Sequence, residues 1–245
     1  MTSNKFLLGL ICCFFFSTFS YSAIRIGTLF YDPPFIISPN EGFDIELSRL
    51  ICKHLELKCE LIQMKGPQEL YEALKNGDVD LAMSGITVSP ARKKDYIFSL
   101  PYLLSKDQFL TLKNNHFNSI DDLEGTTIGV IHDELSGDAL YSYLLKHYKN
   151  KFKINEYKTV EDMFAALSDK EISAAFLYRS DADFWNQNGN NLFKPLGATV
   201  ILGEGIAIMA TPEHAALIKR INKILVQIEG DQSYLSLYKT YFSNQ

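Results

Sequence analysis

The chain has 245 residues, enough to bury one large core or two separate ones without a covalent staple. Its 47% hydrophobic and 22% charged residues are those of an ordinary soluble globular protein. A net charge of -5 with no basic run argues against a nucleic-acid surface.

Residues 1–23, MTSNKFLLGLICCFFFSTFSYSA, hold one charge, Lys5, then an apolar stretch over 6–16 and a small polar end. This is the pattern of a secretory signal peptide. Ser20 and Ser22 suit a cut before Ala23, so that 1–22 would be removed. The apolar stretch is short for a helix crossing ~30 Å of hydrocarbon. Cys12 and Cys13 follow bulky Leu10 and Ile11, unlike a lipid-attachment cysteine. Cleavage leaves Cys52 and Cys59 in LICKHLELKCEL, and an even pair in an exported chain favours a disulfide over two reduced buried thiols.

Beyond the cut, IRIGT at 24–28 predicts a short strand, and Pro33-Pro34 interrupts regular structure. In FDIELSRLICKH, 43–54, apolar residues at 43, 45, 47, 50 and 51 predict a helix docked by one face. A strand over 58–63, a helix over 70–75 closed by NGD, and a buried strand over 79–83 follow. Next comes SGITVSPAR. Pro90 fits the first turn of a helix that Ser89 or Thr87 can cap, and Arg92 then offers a guanidinium fork beside backbone N–H groups. A carboxylate is the natural occupant, held by about 1.5 to 3 kcal/mol when shielded from water. Taken alone, such an arginine is more often an exposed salt bridge of little worth. Lys93, Lys94 and Asp95 read as a solvated helix face.

Residues 105–113 read as an extended crossing strand. A second series follows: a helical turn over 121–125, a strand TIGVI over 127–131, a helix over 136–148, a strand over 152–157, a helix over 160–168 and a strand over 172–177. The same order is thus written twice, which predicts an α/β architecture in two similar lobes. After Leu196, GATVILGEGIAIMA is a strand-rich return, and helices are expected over 212–227 and 234–242.

In this order the segments IRIGT…PPF, GFDIELSRLICKHLELKC, LYEALKNGDVDLAMSGITVSPARKK, FSLPY, DDLEGTTIGV and GEGIAI resemble the polar amino-acid-binding receptors of bacterial ABC importers, nearest to the histidine and lysine/arginine/ornithine group. The resemblance implies an α/β, two-lobed periplasmic-binding fold of type II. Lobe one would span 23–105 and 203–245, lobe two 106–202, with two crossing strands between them and a ligand in a cleft closed by a hinge motion. It implies a Cys52–Cys59 disulfide, because that group bridges cysteines at this spacing. It further implies a periplasmic receptor that is not an enzyme, needs no cofactor and works as a monomer. Such a receptor passes a small carboxylate-bearing ligand, a polar or basic amino acid, to an inner-membrane ABC permease.

By position in that family, Arg92 and Thr87 hold the ligand α-carboxylate, the Gly85 carbonyl accepts from its α-ammonium, and Ser84 belongs to the same set. Tyr31, Asp32 and Phe35 would meet the ligand side chain. Asp32 stands where an aromatic residue usually stacks, and Leu29 where binders of basic ligands often have an acid. Read without the family, an aromatic cluster beside a proline pair is more often core than ligand platform.

Two departures bear on specificity. Where the family has a Gly-Thr-Thr type turn, this chain reads Ile131-His132-Asp133-Glu134-Leu135-Ser136. Backbone amides over 133–135 can still donate, but Asp133 and Glu134 would repel a carboxylate that they faced. They either face a cationic part of the ligand or cap the next helix. Secondly, Tyr178 occupies the place of the aspartate that pairs with the ligand ammonium. A phenol supplies no charge, and spacing assigns neither Asp181 nor Glu134 as the replacement. Asp32, Asp133 and Glu134 together favour a cationic ligand side chain.

The rival reading is an enzyme. The exported cyclohexadienyl and arogenate dehydratases share this fold, and their segments resemble AMSGI at 82–86 and FSLPY at 98–102. Glu134 or Asp133 would then be the general acid. The Cys-x6-Cys spacing and the lack of a second catalytic partner weigh against it. A sensor ectodomain or cell-wall lyase would carry a further domain. The five histidines lack metal-ligand spacing, and GTTIG at 125–129 lacks the Lys and Ser/Thr of a phosphate loop.

Overall fold

The computed structural model describes residues 23–132, 139–188 and 190–242. The expected signal segment and Asp133, Glu134 and Leu135 therefore lie outside the described residues. In chain order the elements are β1 (Ile24–Leu29), α1 (Phe43–Leu55), β2 (Cys59–Met64), α2 (Pro67–Asn76), β3 (Leu81–Ala82), β4 (Ile97–Phe98) and β5 (Lys106–Leu112). They continue with β6 (Thr127–Ile131), α3 (Ala139–His147), β7 (Lys153–Tyr157), α4 (Val160–Ser168), β8 (Ala174–Tyr178), α5 (Arg179–Asn188) and β9 (Phe193–Ile201). β10 (Met209–Ala210), α6 (Ala215–Gly230) and α7 (Ser233–Phe242) complete the chain.

Local chemistry accounts for most of these boundaries. α1 buries Phe43, Ile45, Leu47 and Ile51 on one face, each worth about 1.5 to 3 kcal/mol of transfer from water. α2 opens with Pro67 at a first-turn position, where a missing N–H costs nothing, and closes on Gly77 in the left-handed conformation. α4 is capped by Thr159, whose hydroxyl accepts the Asp162 N–H at 3.1 Å.

Two five-stranded sheets form, in the orders β2-β1-β3-β10-β4 and β7-β6-β8-β5-β9. In each, three strands linked through helices are parallel, and a strand from the other half of the chain runs antiparallel beside the third. The repetition reaches single residues. A Cβ on Gly27 of β1 would lie 2.6 Å from Leu70, and one on Gly129 of β6 would lie 2.5 Å from Ile172, so both positions need glycine where a neighbouring element presses on the sheet. Each sheet has its own apolar clusters, one set around Phe43 and Ile221 and another around Phe109 and Phe176.

The two crossings run side by side. The Ile206 N–H donates to the Leu103 carbonyl at 2.7 Å, and the Leu202 N–H donates to the Ser105 carbonyl at 3.1 Å. Cys52, in the last turn of α1, is disulfide-bonded to Cys59 at the start of β2, with Cα atoms 6.2 Å apart. Two local expectations differ. No α-helix starts at Pro90; Arg92–Lys94 is a single 3-10 turn, because the chain must re-enter the sheet at β4 within a few residues. And 179–188, for which the sequence had suggested no element, is helix α5.

Candidate functional site

A cavity of about 170 Å³ lies between the sheets, walled on one side by the segments after β1, β2 and β3 and on the other by those after β6, β7 and β8. All six strands are parallel members of their sheets, and their carboxyl ends open the crevice where α/β folds bind ligands. Contacts across the cleft join the halves: Tyr31 meets Trp185 edge to face, with ring centroids 6.5 Å apart.

Arg92 lines this cavity and is only 8% exposed, so its guanidinium is no surface salt bridge. One terminal nitrogen donates to the Thr87 carbonyl at 2.7 Å and the other to the Tyr71 hydroxyl at 3.0 Å, while the Tyr71 ring centroid lies 5.6 Å from Cζ. These partners fix the plane of the fork. Thr87 is fully buried, and its hydroxyl donates to the Tyr178 hydroxyl at 2.8 Å and lies 3.2 Å from that of Ser105.

Gly85 adopts φ +58°, and a Cβ there would stand 2.8 Å from the Phe35 ring. Its N–H donates to Asp44 at 2.9 Å, as does the Tyr102 hydroxyl. Phe35 is 1% exposed, so its part is to support the Gly85 loop from the core side while bordering the cavity. Tyr31 is exposed at the rim. Asp32 accepts the Ser84 hydroxyl at 2.7 Å.

The expected residues Arg92, Thr87, Gly85, Ser84, Tyr31, Asp32, Phe35 and Tyr178 all border one cavity. So do residues that sequence reasoning had not placed there: Tyr71, which reads as the apolar face of α2, and Glu161 at the start of α4. Asp181, one turn into α5, also lines the cavity and is 4% exposed.

Acids dominate the electrostatics. Burial raises Asp181 well above the usual carboxylate range, and the nearby charge of Asp32 adds to it. Burial likewise raises Asp32, with the Ser84 hydroxyl opposing and Asp44 and Glu161 adding. Asp44 is pushed up to about 7 by burial, against the pull of the Gly85 N–H and the Tyr102 hydroxyl. On β5, Asp107 is pushed up to about 8 by burial, which the Ser105 hydroxyl only partly offsets. A cavity lined by one buried guanidinium, the buried carboxyl of Asp181 and the half-buried carboxyl of Asp32 suits a small zwitterion carrying further positive charge. Among the described residues no group of His, Cys, Asp and Glu could hold a metal ion.

The model of the family described as bacterial extracellular solute-binding proteins, family 3, matches residues 24–244. The chain is 24% identical to the ABC transporter arginine-binding protein 1 of Escherichia coli (strain K12), over 96% of this chain and 97% of that one. It is 26% identical to the histidine-binding periplasmic protein of the same strain, over 96% of this chain and 95% of that one. A crystal structure of an arginine 3rd transport system periplasmic binding protein from Legionella pneumophila superposes with a TM-score of 0.81 at 34% identity, covering 90% of this chain and 99% of the other.

Proposed function

The chain belongs to family 3 of the bacterial extracellular solute-binding proteins, and on that premise we propose that it is a periplasmic receptor for a basic amino acid, which it delivers to an inner-membrane ABC permease. The observation that carries the ligand class is the buried Arg92 guanidinium, which shares one cleft with the buried carboxyl of Asp181 and with Asp32. Arg92 and Thr87 take the ligand α-carboxylate, and the acids take its positive groups. Relatives named for arginine and histidine support a basic amino acid as the ligand class. Membership in a family of binding proteins leaves the dehydratase reading without support.

The receptor acts as a monomer, with Ala23 as its first residue after signal cleavage. Ligand closes the two lobes about the paired crossings at 103–105 and 202–206. Isothermal titration of the purified protein against a panel of amino acids tests the reading, with tight binding expected for L-arginine, L-lysine or L-histidine. Tight binding confined to acidic or apolar amino acids would overturn the ligand class, and binding of none would overturn the function.

A further inference from the structure

Two carboxyl groups meet in the cleft from opposite lobes. Asp32 follows β1, Asp181 lies in the first turn of α5, and both line the same cavity. Asp181 is 4% exposed; one carboxylate oxygen accepts the Ser180 hydroxyl at 3.2 Å, and the other accepts no hydrogen bond among the described residues. The Asp32 carboxylate accepts the Ser84 hydroxyl. Neither acid has an ion-pair partner among the described residues.

The surrounding charges do not relieve the pair. Asp32 has Asp44 behind it and Glu161 across the cleft, while Asp181 has Asp107 of β5 on its other side. Arg92 is held by Thr87 and Tyr71, His132 is joined to Glu156, and Lys65 and Lys158 are exposed at the mouth. Arg179, beside Asp181 in sequence, is turned to Asp183 at 3.0 Å. Two like charges sharing a cleft, neither in an ion pair among the described residues, cost more than two groups that keep a proton between them, so the unliganded protein retains protons there.

We propose that Asp32 and Asp181 form a split anionic subsite that exchanges bound protons for the positive groups of the ligand, and thereby selects a ligand with two cationic groups over one with a single cation. The proposal rests on the reading of the cleft as an amino-acid site. Charge balance sets its terms. Arg92 matches the ligand carboxylate, the α-ammonium neutralises one acid, and a cationic side chain neutralises the other. An amino acid with an uncharged side chain leaves one of the two still protonated. Each acid that ionises on binding gives its proton to solvent.

The test is isothermal titration of the full mature protein with L-arginine and with L-citrulline, which has a neutral ureido group in place of the guanidinium. Measurements run from about pH 5 to about pH 8 in buffers of different ionisation enthalpy. L-arginine is expected to release one proton more than L-citrulline per binding event. Below about pH 7, where Asp32 takes up its proton, L-arginine affinity should fall about tenfold more per pH unit than L-citrulline affinity.

Asp181→Asn should weaken L-arginine by about tenfold or more at the alkaline end; if Asp181 faces the ligand side chain the extra proton and the extra slope vanish with it, and if it faces the α-ammonium L-citrulline weakens in step. Asp32→Asn makes the same test from the other lobe, and unaltered Trp185 fluorescence in either variant reports an intact fold. Equal proton counts for the two probes, or an extra proton that survives both substitutions, would overturn the proposal. If L-arginine binds and Arg92→Ala removes that binding, but no proton exchange accompanies it, this subsite fails and the receptor reading stands. If no amino acid binds the wild type, both fail.

Discussion

The Thr87 hydroxyl donates to the Tyr178 hydroxyl at 2.8 Å, a hydrogen bond between the segment that follows β3 of one sheet and the end of β8 of the other. It joins the lobes at the point where the family resemblance puts the ligand carboxylate on one side and an aspartate on the other. The phenol thus puts a neutral bridge at that place, while the buried carboxyl of Asp181, three residues further on, lines the same cavity.

Tyr178→Phe tests that bridge. A hydrogen bond of this kind contributes about 0.5 to 1.5 kcal/mol net, so its loss should shift the unliganded protein towards the open state by about two- to tenfold. Small-angle scattering should report a larger radius of gyration without ligand and an unchanged one with it. The fluorescence of Trp185, the single tryptophan of the chain, should change in parallel because its edge contact with Tyr31 spans the cleft. Identical scattering curves for variant and wild type would rule out a latch at this position.

Arg92→Ala removes the guanidinium and leaves the Thr87 carbonyl and the Tyr71 hydroxyl without that donor. Ligand affinity should fall by about ten- to 150-fold, the equivalent of about 1.5 to 3 kcal/mol, with the circular dichroism spectrum retained. Arg92→Lys should recover only part of it, because a point charge cannot reproduce the fork. Titration calorimetry decides, and a variant that binds like wild type would disprove the carboxylate assignment.

Reduction of Cys52–Cys59 frees a short loop from the end of α1 to the start of β2. Loop entropy assigns such a closure about 2 to 3 kcal/mol, so a thiol reductant should lower the melting temperature by several degrees. The cleft is built from other segments, and ligand affinity at a temperature where the reduced protein stays folded should be unchanged. A melting curve insensitive to reductant would disprove the stabilising role.

Stability of the unliganded protein should fall as pH rises from about 5 to 8. Asp44 and Asp107 carry folded-state values of about 7 and about 8, above the ~3.9 of an unfolded aspartate. Between those limits the folded state binds more protons than the unfolded one. Their contribution is therefore complete below the unfolded value and is lost as pH climbs through the folded value, by at most about 1.4 kcal/mol per pH unit per group. Asp107→Asn should flatten part of this trend in calorimetric melts. A melting temperature that climbs over the same interval would contradict the assignment.

Much of the fold is legible in the chain itself. The alternation of strands and amphipathic helices, written twice, predicts two α/β lobes because a helix and a strand advertise their buried faces through local periodicity alone. The element missed, α5, shows why the rest is not: RSDADFWNQN has few apolar positions, and its packing partners lie in β5 and β8. Phe35 reads more readily as core than as ligand platform from its neighbours in sequence, but that Gly85, far along the chain, presses against its ring is seen only in the fold.

By itself the sequence determined the two-lobed architecture, the cysteine pair and the presence of an arginine after SGITVSP, since these depend on residue types at short spacing. The tertiary structure alone decided that this arginine is enclosed, that Tyr178 reaches Thr87, and that Asp32 and Asp181 border one cavity. Those facts depend on how two separately folded sheets meet, and the charge in a cleft is set by which distant side chains share it and by how much water they exclude.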